Sequence, residues 1–477
     1  MNKQFKDMIV MFIGICLNMI IGAITIPIIT RMVLPAEYGQ ASLLQTYINI
    51  LVTVCLLGLD QAYVRFYYTE DSYIFRAYLS RRVLKISLIV SLLISSAVII
   101  GIYFISELSL LTSLLVGLNV VIAVVETYTR LSLRLEQNST AYSITLIVKR
   151  IINVITIILF LSYFNMSAVN SILLAMFFSL LAVVLAALHL LPNVWRFGKI
   201  PVSNIISGKE LLLYSYPFIF SSLAHWLFTA GDKIVLQFQS NLNEIGYYSA
   251  ASNIVALITI VQTTFTTLWV PQAIQKFEKN NKEELFFIKS NEAVSLIMIV
   301  LGATLILFKD VIAIILGGDY ENAKYIFPFL LLSPIMFTIS ETTVYGINFY
   351  KKTQWHIVIT SISCIFNLAL NFILVPSLGS KGAAIATGIS YIIFFLLRTY
   401  ISKMYFKVRF NIKKFFIILP LFLFYLFYNT FFESATIMIE LYILLILIAL
   451  FVYRESFSTI IKIIKENSIN LIHFKSK

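Results

Sequence analysis

About 14 apolar segments, each of roughly 20 residues and so long enough to cross a bilayer, follow one another almost without interruption. They run from one centred near Leu17 to one centred near Ile446. Inside hydrocarbon a backbone must satisfy its own hydrogen bonds, which leaves helices or a closed barrel. Segments this long suit helices, since barrel strands need only about 9–11 residues. The expected fold is therefore all-α and polytopic. Composition agrees: the 477 residues are 60% hydrophobic and 12% charged, against about a quarter charged in soluble domains. No soluble domain fits between the segments. The first begins near Met8, after Lys3 and Lys6, contains Pro27 and lacks a small-residue cleavage site. It reads as a retained helix, not a signal peptide. Cys16, Cys55 and Cys364 all fall inside predicted helices, which argues against disulfides and metal sites.

The net charge of +13 does not point to nucleic acid. With the N-terminus inside, most Lys and Arg fall on inside loops and tails. Arg65, Arg76, Arg81, Arg82 and Lys85 follow the second segment; Lys403, Lys407, Arg409, Lys413 and Lys414 follow the twelfth. The outside loops hold Arg31, Lys309, Lys324 and Lys381. That asymmetry predicts cytoplasmic termini.

The chain also repeats itself. Leu34-Pro35-Ala36-Glu37-Tyr38-Gly39 returns as Leu242-Asn243-Glu244-Ile245-Gly246, with Glu37 and Glu244 offset by 207 residues. Gln61-Ala62-Tyr63-Val64-Arg65-Phe66 returns as Gln272-Ala273-Ile274-Gln275-Lys276-Phe277, offset by 211. Two membrane halves of one ancestry, with a site between them, are a transporter arrangement. The expected division is an N-terminal lobe over 1–200, a C-terminal lobe over 201–410 and two extra helices over 411–454. An amphipathic helix on the cytoplasmic membrane surface is expected over 455–477.

Lys149, Arg150, Lys233 and Arg398 fall within or at the ends of apolar segments. A charge at the bilayer centre costs about 2.5–3.5 kcal/mol on insertion scales, so such residues face a cavity or a partner unless they snorkel. Lys149 and Arg150 read as the start of the fifth segment, where either account holds. Arg398 reads as an anchor, Lys233 as a snorkelling residue or the partner of Asp232, and Arg31 is similarly ambiguous. Polar faces add to this. Asn18, Gly22 and Thr25 share a helix face, and the offset of 207 carries them onto His225, Thr229 and Asp232. Gln45, Asn49, Thr53 and Asp60 form another face; so do Thr338, Glu341, Tyr345 and Asn348; so do Asn367 and Asn371. Glu126, Arg130 and Arg134 stand at i, i+4 and i+8. Single stripes of this kind also join helices by hydrogen bonds; several in one bundle suggest a wet cavity.

These residues carry a resemblance. Arg31-x-x-Leu34-Pro35-x-Glu37-Tyr38-Gly39, Arg65-Phe66, Gly231-Asp232-Lys233 before Glu244-Ile245-Gly246-Tyr247-Tyr248, and the run from Asn371 through Pro376, Gly379, Lys381 and Gly382 to Thr387 resemble Wzx-type polysaccharide flippases. That family sits in the superfamily holding multidrug extruders and lipid II flippases. The resemblance implies two pseudo-symmetric six-helix lobes around a cavity, plus two C-terminal helices, in a bacterial inner membrane. The implied substrate is an oligosaccharide repeat unit on a polyprenyl pyrophosphate, moved from the cytoplasmic to the outer leaflet for O-antigen or capsule synthesis. Alternating access would carry it, with antiport of H⁺ or Na⁺. A polysaccharide polymerase and glycosyltransferases are the implied protein partners. Neither cofactor nor catalytic residue is required.

Lys149, Arg150, Arg31 and Lys233 are the first candidates for the phosphates, with Arg130 and Arg134 behind them. Asn18, Asn49 and His225 are candidates for polar substrate contacts. Glu341, Glu126, Asp232 and Asp60 are candidates for ion coupling. A drug or organic-cation antiporter of the same superfamily is the rival reading and would want an acidic or apolar cavity. A membrane glycosyltransferase or polymerase is a further alternative. The outer loops are short, and no HExxH, GxSxG or Walker A motif occurs.

Overall fold

The computed structural model describes residues 3–105, 108–195, 206–278 and 284–456. They form helices joined by short turns, in two compact units, Met1–Ala250 and Ala251–Lys477. The first unit contains α1 (Lys3–Thr30), α2 (Pro35–Leu56), α3 (Leu59–Phe66), α4 (Tyr73–Ile105) and α5 (Leu110–Leu135). It continues with α6 (Ser139–Ser162), α7 (Ala168–Leu190), α8 (Gly208–Gln239) and the first turns of α9 (Leu242–Val255). The second contains α10 (Ile258–Glu278), α11 (Glu284–Leu307), α12 (Lys309–Leu316), α13 (Ala323–Leu330), α14 (Leu332–Thr343) and α15 (Tyr345–Phe349). It ends with α16 (Gln354–Tyr405), α17 (Ile412–Phe431) and α18 (Ala435–Val452).

Twelve of these stretches are long and apolar enough to cross a membrane, and the bent pair α9–α10 makes a thirteenth. The 52 residues of α16 would span about 78 Å at 1.5 Å per residue, far more than one bilayer crossing of about 30 Å. Its helix breaks at Gly379, where φ is 55° and ψ −134°, a conformation open to glycine and costly for other residues. Counting 354–378 and 380–405 separately gives the 14 crossings expected from the sequence. The tail expected over 455–477 lies, from residue 457 on, outside the described residues.

Local chemistry sets the ends. Ser109, Asn138 and Ser207 accept hydrogen bonds from the backbone N–H of Thr112, Ala141 and Glu210, capping α5, α6 and α8. The cap at Asn138 starts α6 well before its apolar stretch. Lys149 and Arg150 therefore lie about 15 Å into that helix, which corrects their placement at the start of the fifth crossing. Leu57 and Gly58 both have positive φ and separate α2 from α3. A Cβ on Gly58 would meet Ser215 O of α8 at 2.5 Å.

Within the first unit α8 packs along α2 and α3, which is why the unit runs past residue 200. The lobe boundary at 200 is a statement about ancestry and stands as a proposal. In the core the rings of Tyr67 and Tyr128 meet that of Tyr63 edge to face. Their hydroxyls are satisfied: Tyr63 bonds Ser80 and Ser132 at 2.7 Å, Tyr128 bonds Ser87 at 2.8 Å, and Tyr67 donates to Glu136 at 2.7 Å. In the second unit buried Glu292 of α11 takes Lys414 Nζ at 2.9 Å and Asn411 at 3.1 Å from the α17 entry, and Ser456 beyond α18 at 2.6 Å. One carboxylate thus fastens both ends of the α17–α18 pair.

Candidate functional site

The break at Leu57–Gly58 brings Asp60 and Gln61, at the head of α3, beside the last two turns of α5. There a cavity of about 410 Å³ is lined by Asp60, Gln61, Thr127, Arg130, Arg134 and Tyr142, among others. The i, i+4, i+8 spacing of Glu126, Arg130 and Arg134 puts two guanidinium groups into it. Arg130 Nε donates to Glu126 at 2.9 Å, and Tyr142 lines the same cavity. The same Glu126 oxygen takes Lys149 Nζ from α6 at 3.0 Å. Glu126 is buried, whereas a third of each cation's side chain is exposed. One carboxylate holding two cations leaves a surplus positive charge, and Arg134 adds to it across from Asp60.

Arg150, the neighbour of Lys149, lies across α1. A Cβ on Gly22 would come within 2.8 Å of its Nη2, so the glycine in the Asn18–Gly22–Thr25 face is what admits the guanidinium. Arg150 Nε is buried without a hydrogen-bond partner. Asn18 is half-buried, and Asn49 and Arg31 are exposed. Those three do not line either cavity.

A second cavity, of about 380 Å³, opens between the end of α2 and the middle of α8. Thr53, Asp60, Ser221, Ser222, His225, Trp226 and Thr229 line it, with Leu56 and Gly58. Asp60 is common to both cavities. His225 and Thr229 belong to the polar face seen in the sequence. That face extends back, at four-residue spacing, from His225 to Ser221 and from Trp226 to Ser222. The sequence reading passed over Ser221, Ser222 and Trp226, although helical spacing from His225 would have found the two serines.

Lys233, one turn beyond Thr229, donates to Ser42 Oγ of α2 at 2.8 Å, and Ser42 Oγ lies 2.8 Å from Ser249 Oγ of α9. Asp232 accepts from Tyr248. Ser42 and Ser249 are 207 residues apart, the offset of the repeat. Around them the contact is reciprocal: a Cβ on Gly39 would strike Leu242 O at 2.0 Å, and one on Gly246 would strike Pro35 O at 2.0 Å. Each pair exchanges roles under the same offset, as in a two-fold interface.

In the second unit Arg398 is buried, not an exposed anchor. Its Nη1 donates to Glu341 at 2.8 Å and to Ser340 Oγ at 2.7 Å. The rings of Phe337 and Phe394 lie about it at 5.3 and 5.1 Å. Glu126 and Glu341 are thus both held by cations. Among the described residues no cluster of His, Cys, Asp and Glu could hold a metal ion.

A family model described as "Polysaccharide biosynthesis protein" matches residues 5–272. A probable low-salt glycan biosynthesis flippase, Agl15, of Haloferax volcanii is 23% identical over 244 residues, covering 50% of this chain and 51% of the relative. The chain thus spans about half the length of that curated relative. In fold it is similar to the lipid II flippase MurJ in an inward closed conformation, with TM-score 0.68 and 18% identity over 94% of this chain and 99% of the other. An inward-facing multidrug resistance MATE family transporter of the MOP superfamily gives TM-score 0.60 at 17% identity, over 82% and 94% of the two chains.

Proposed function

The chain belongs to the polysaccharide biosynthesis protein family, and on that premise we propose that it is a flippase. It carries oligosaccharide repeat units on polyprenyl pyrophosphate from the cytoplasmic to the outer leaflet of a bacterial inner membrane, for O-antigen or capsule. The observation that carries this reading is the cationic cavity of the first unit. Two arginines line it, and Lys149 shares Glu126 with one of them. A pyrophosphate needs its charge neutralised before it enters about 30 Å of hydrocarbon. Arg130 and Arg134 supply that, Lys149 and Arg150 lie deeper, and the prenyl chain stays in lipid. Arg31 and Lys233 are assigned to the opposite end of the path. The cationic lining disfavours the drug-antiporter reading, which wants an acidic or apolar cavity. No bond is made or broken in this scheme, so no enzyme chemistry is invoked.

Turnover would alternate access between the two sides. For coupling to H⁺ or Na⁺, Glu126 and Glu341 would have to release a bound cation, and Asp232 its tyrosine. Asp60 differs: it lines both cavities, and its bonded neighbour is Gln61 at 2.7 Å. One charge moving through 100 mV is worth about 2.3 kcal/mol, enough to bias such a transition.

The test is flipping in proteoliposomes of a polyprenyl-pyrophosphate oligosaccharide, with and without an imposed H⁺ or Na⁺ gradient. Wild type flips, and Arg130→Ala/Arg134→Ala and Lys149→Ala/Arg150→Ala do not. Equal flipping by wild type and both doubles overturns the assignment. Flipping indifferent to every gradient removes the antiport and leaves translocation driven by removal of product.

A further inference from the structure

The second cavity has a chemistry of its own. None of its lining residues is Lys or Arg, so it is no place for a phosphate. Apolar surface from Trp226 and Leu56 stands there beside four hydroxyls, an imidazole and a carboxylate, a richer polar set than the few groups usual in an apolar ligand cleft. Its one flat aromatic surface is the indole of Trp226, with Leu56 the other large apolar side chain. An apolar plate within a polar rim matches a pyranose ring. The C–H face of the sugar packs on the indole. Its hydroxyl edge meets Ser221, Ser222, Thr53, Thr229 and His225, which offer both donors and acceptors. At about 380 Å³ the cavity falls in the range of small-ligand sites, which begins at about 300 Å³.

Its position fixes which sugar. Asp60 lines this cavity and the cationic one alike, so one ligand can lie in both. With the phosphates at Arg130 and Arg134, the ring in the second cavity is the one attached to the phosphate. An acidic sugar there would bring its carboxylate to Asp60 with no cation lining that cavity to answer it, and such like-charge juxtaposition rejects a ligand.

Resting on the flippase reading above, we infer that this cavity is the subsite for the first, phosphate-linked sugar, and that Trp226 holds an uncharged ring there while Asp60 excludes an acidic one. Ser221, Ser222 and His225 set its orientation.

The experiment measures binding to the protein in lipid nanodiscs. The probes are polyprenyl pyrophosphate bearing no sugar, one N-acetylhexosamine, or one hexuronic acid. In wild type the neutral sugar tightens binding about tenfold over the bare probe, the ~1.4 kcal/mol of a stacked contact, and the acidic sugar does not. Trp226→Ala removes the gain from the neutral sugar, and Trp226→Phe keeps most of it. Asp60→Asn lets the acidic sugar bind like the neutral one. If Trp226→Ala fails to fold, the Trp226→Phe and Asp60→Asn arms still decide. Equal affinity of wild type for bare and neutral probes overturns the inference, as does an unchanged rejection of the acidic probe by Asp60→Asn. Failure of wild type to bind even the bare probe overturns the flippase reading instead.

Discussion

Lys149 Nζ lies 3.0 Å from a Glu126 oxygen that Arg130 already holds at 2.9 Å. The three groups come from two helices, and only the acid is buried. Removing it leaves two cations facing each other with no carboxylate between them. Glu126→Ala should cost roughly 1–3 kcal/mol, at the low end because both cations are partly solvated. Glu126→Gln, which keeps an acceptor, should cost less. Melting temperatures in one detergent measure both; identical values for wild type and Glu126→Ala would refute the shared role.

Arg398 and Glu341 form the tighter pair, each side chain less than a tenth exposed. Breaking one side of such a pair typically costs about 3–5 kcal/mol, because the other charge stays buried and unmet. Arg398→Ala should therefore express poorly or melt far below wild type. Arg398→Lys should rescue little, since lysine cannot bridge Ser340 and Glu341 while stacking between two phenylalanines. The double Arg398→Met/Glu341→Met should melt closer to wild type than either alanine single. A double no better than the singles would mean the pair is not the source of the loss.

The contact between α2 and α9 can be caught chemically. With Cys16, Cys55 and Cys364 replaced, Ser42→Cys/Ser249→Cys should form a disulfide in membranes under mild oxidant, because the oxygens they replace lie 2.8 Å apart and the bond needs Cβ atoms about 3.5–4.5 Å apart. Gly39→Val in the same background should abolish the cross-link, since Leu242 O occupies the space its side chain requires. Cross-linking that persists in Gly39→Val would place the two helices differently.

Lys309, at the start of α12, is buried and donates to Asn429 O at 2.7 Å. Burial pushes its amine from 10.5 down to about 8; the charges of Lys324 and Lys381 push the same way, against Asp310 and Glu433. Below pH 8 the amine is charged both folded and unfolded, so the burial penalty is fully present. Between about 8 and 10.5 the folded protein sheds a proton that the unfolded chain keeps, and stability rises with pH. The melting temperature should climb from pH 7.5 to 9.5 in wild type and climb less in Lys309→Met. Equal slopes would show that another group titrates.

The crossings and the repeat were legible in the sequence because each has a local cause: apolar length and a recurring string. Lys149 was misplaced because hydropathy senses where lipid begins, whereas Asn138 starts the helix in its polar preamble. Arg398 looked like an anchor because its partner sits 57 residues away on another helix, and no local pattern records that meeting. Trp226 was passed over since an aromatic in an apolar stretch usually reads as core. Only the turn at Leu57–Gly58 and the approach of α8 make it the wall of a cavity.

The reciprocal contact of Gly39 with Leu242 and Gly246 with Pro35 is what two identical subunits would make across a symmetry axis. In such a dimer every substitution appears twice, so a residue useful on one side is imposed on the other. Joining the copies in one chain lifts that constraint. His225 and Asp232 stand where the first copy keeps Asn18 and Thr25, while the glycines and serines at the crossing stayed matched. Within this one chain the two faces differ while the joint stays symmetric.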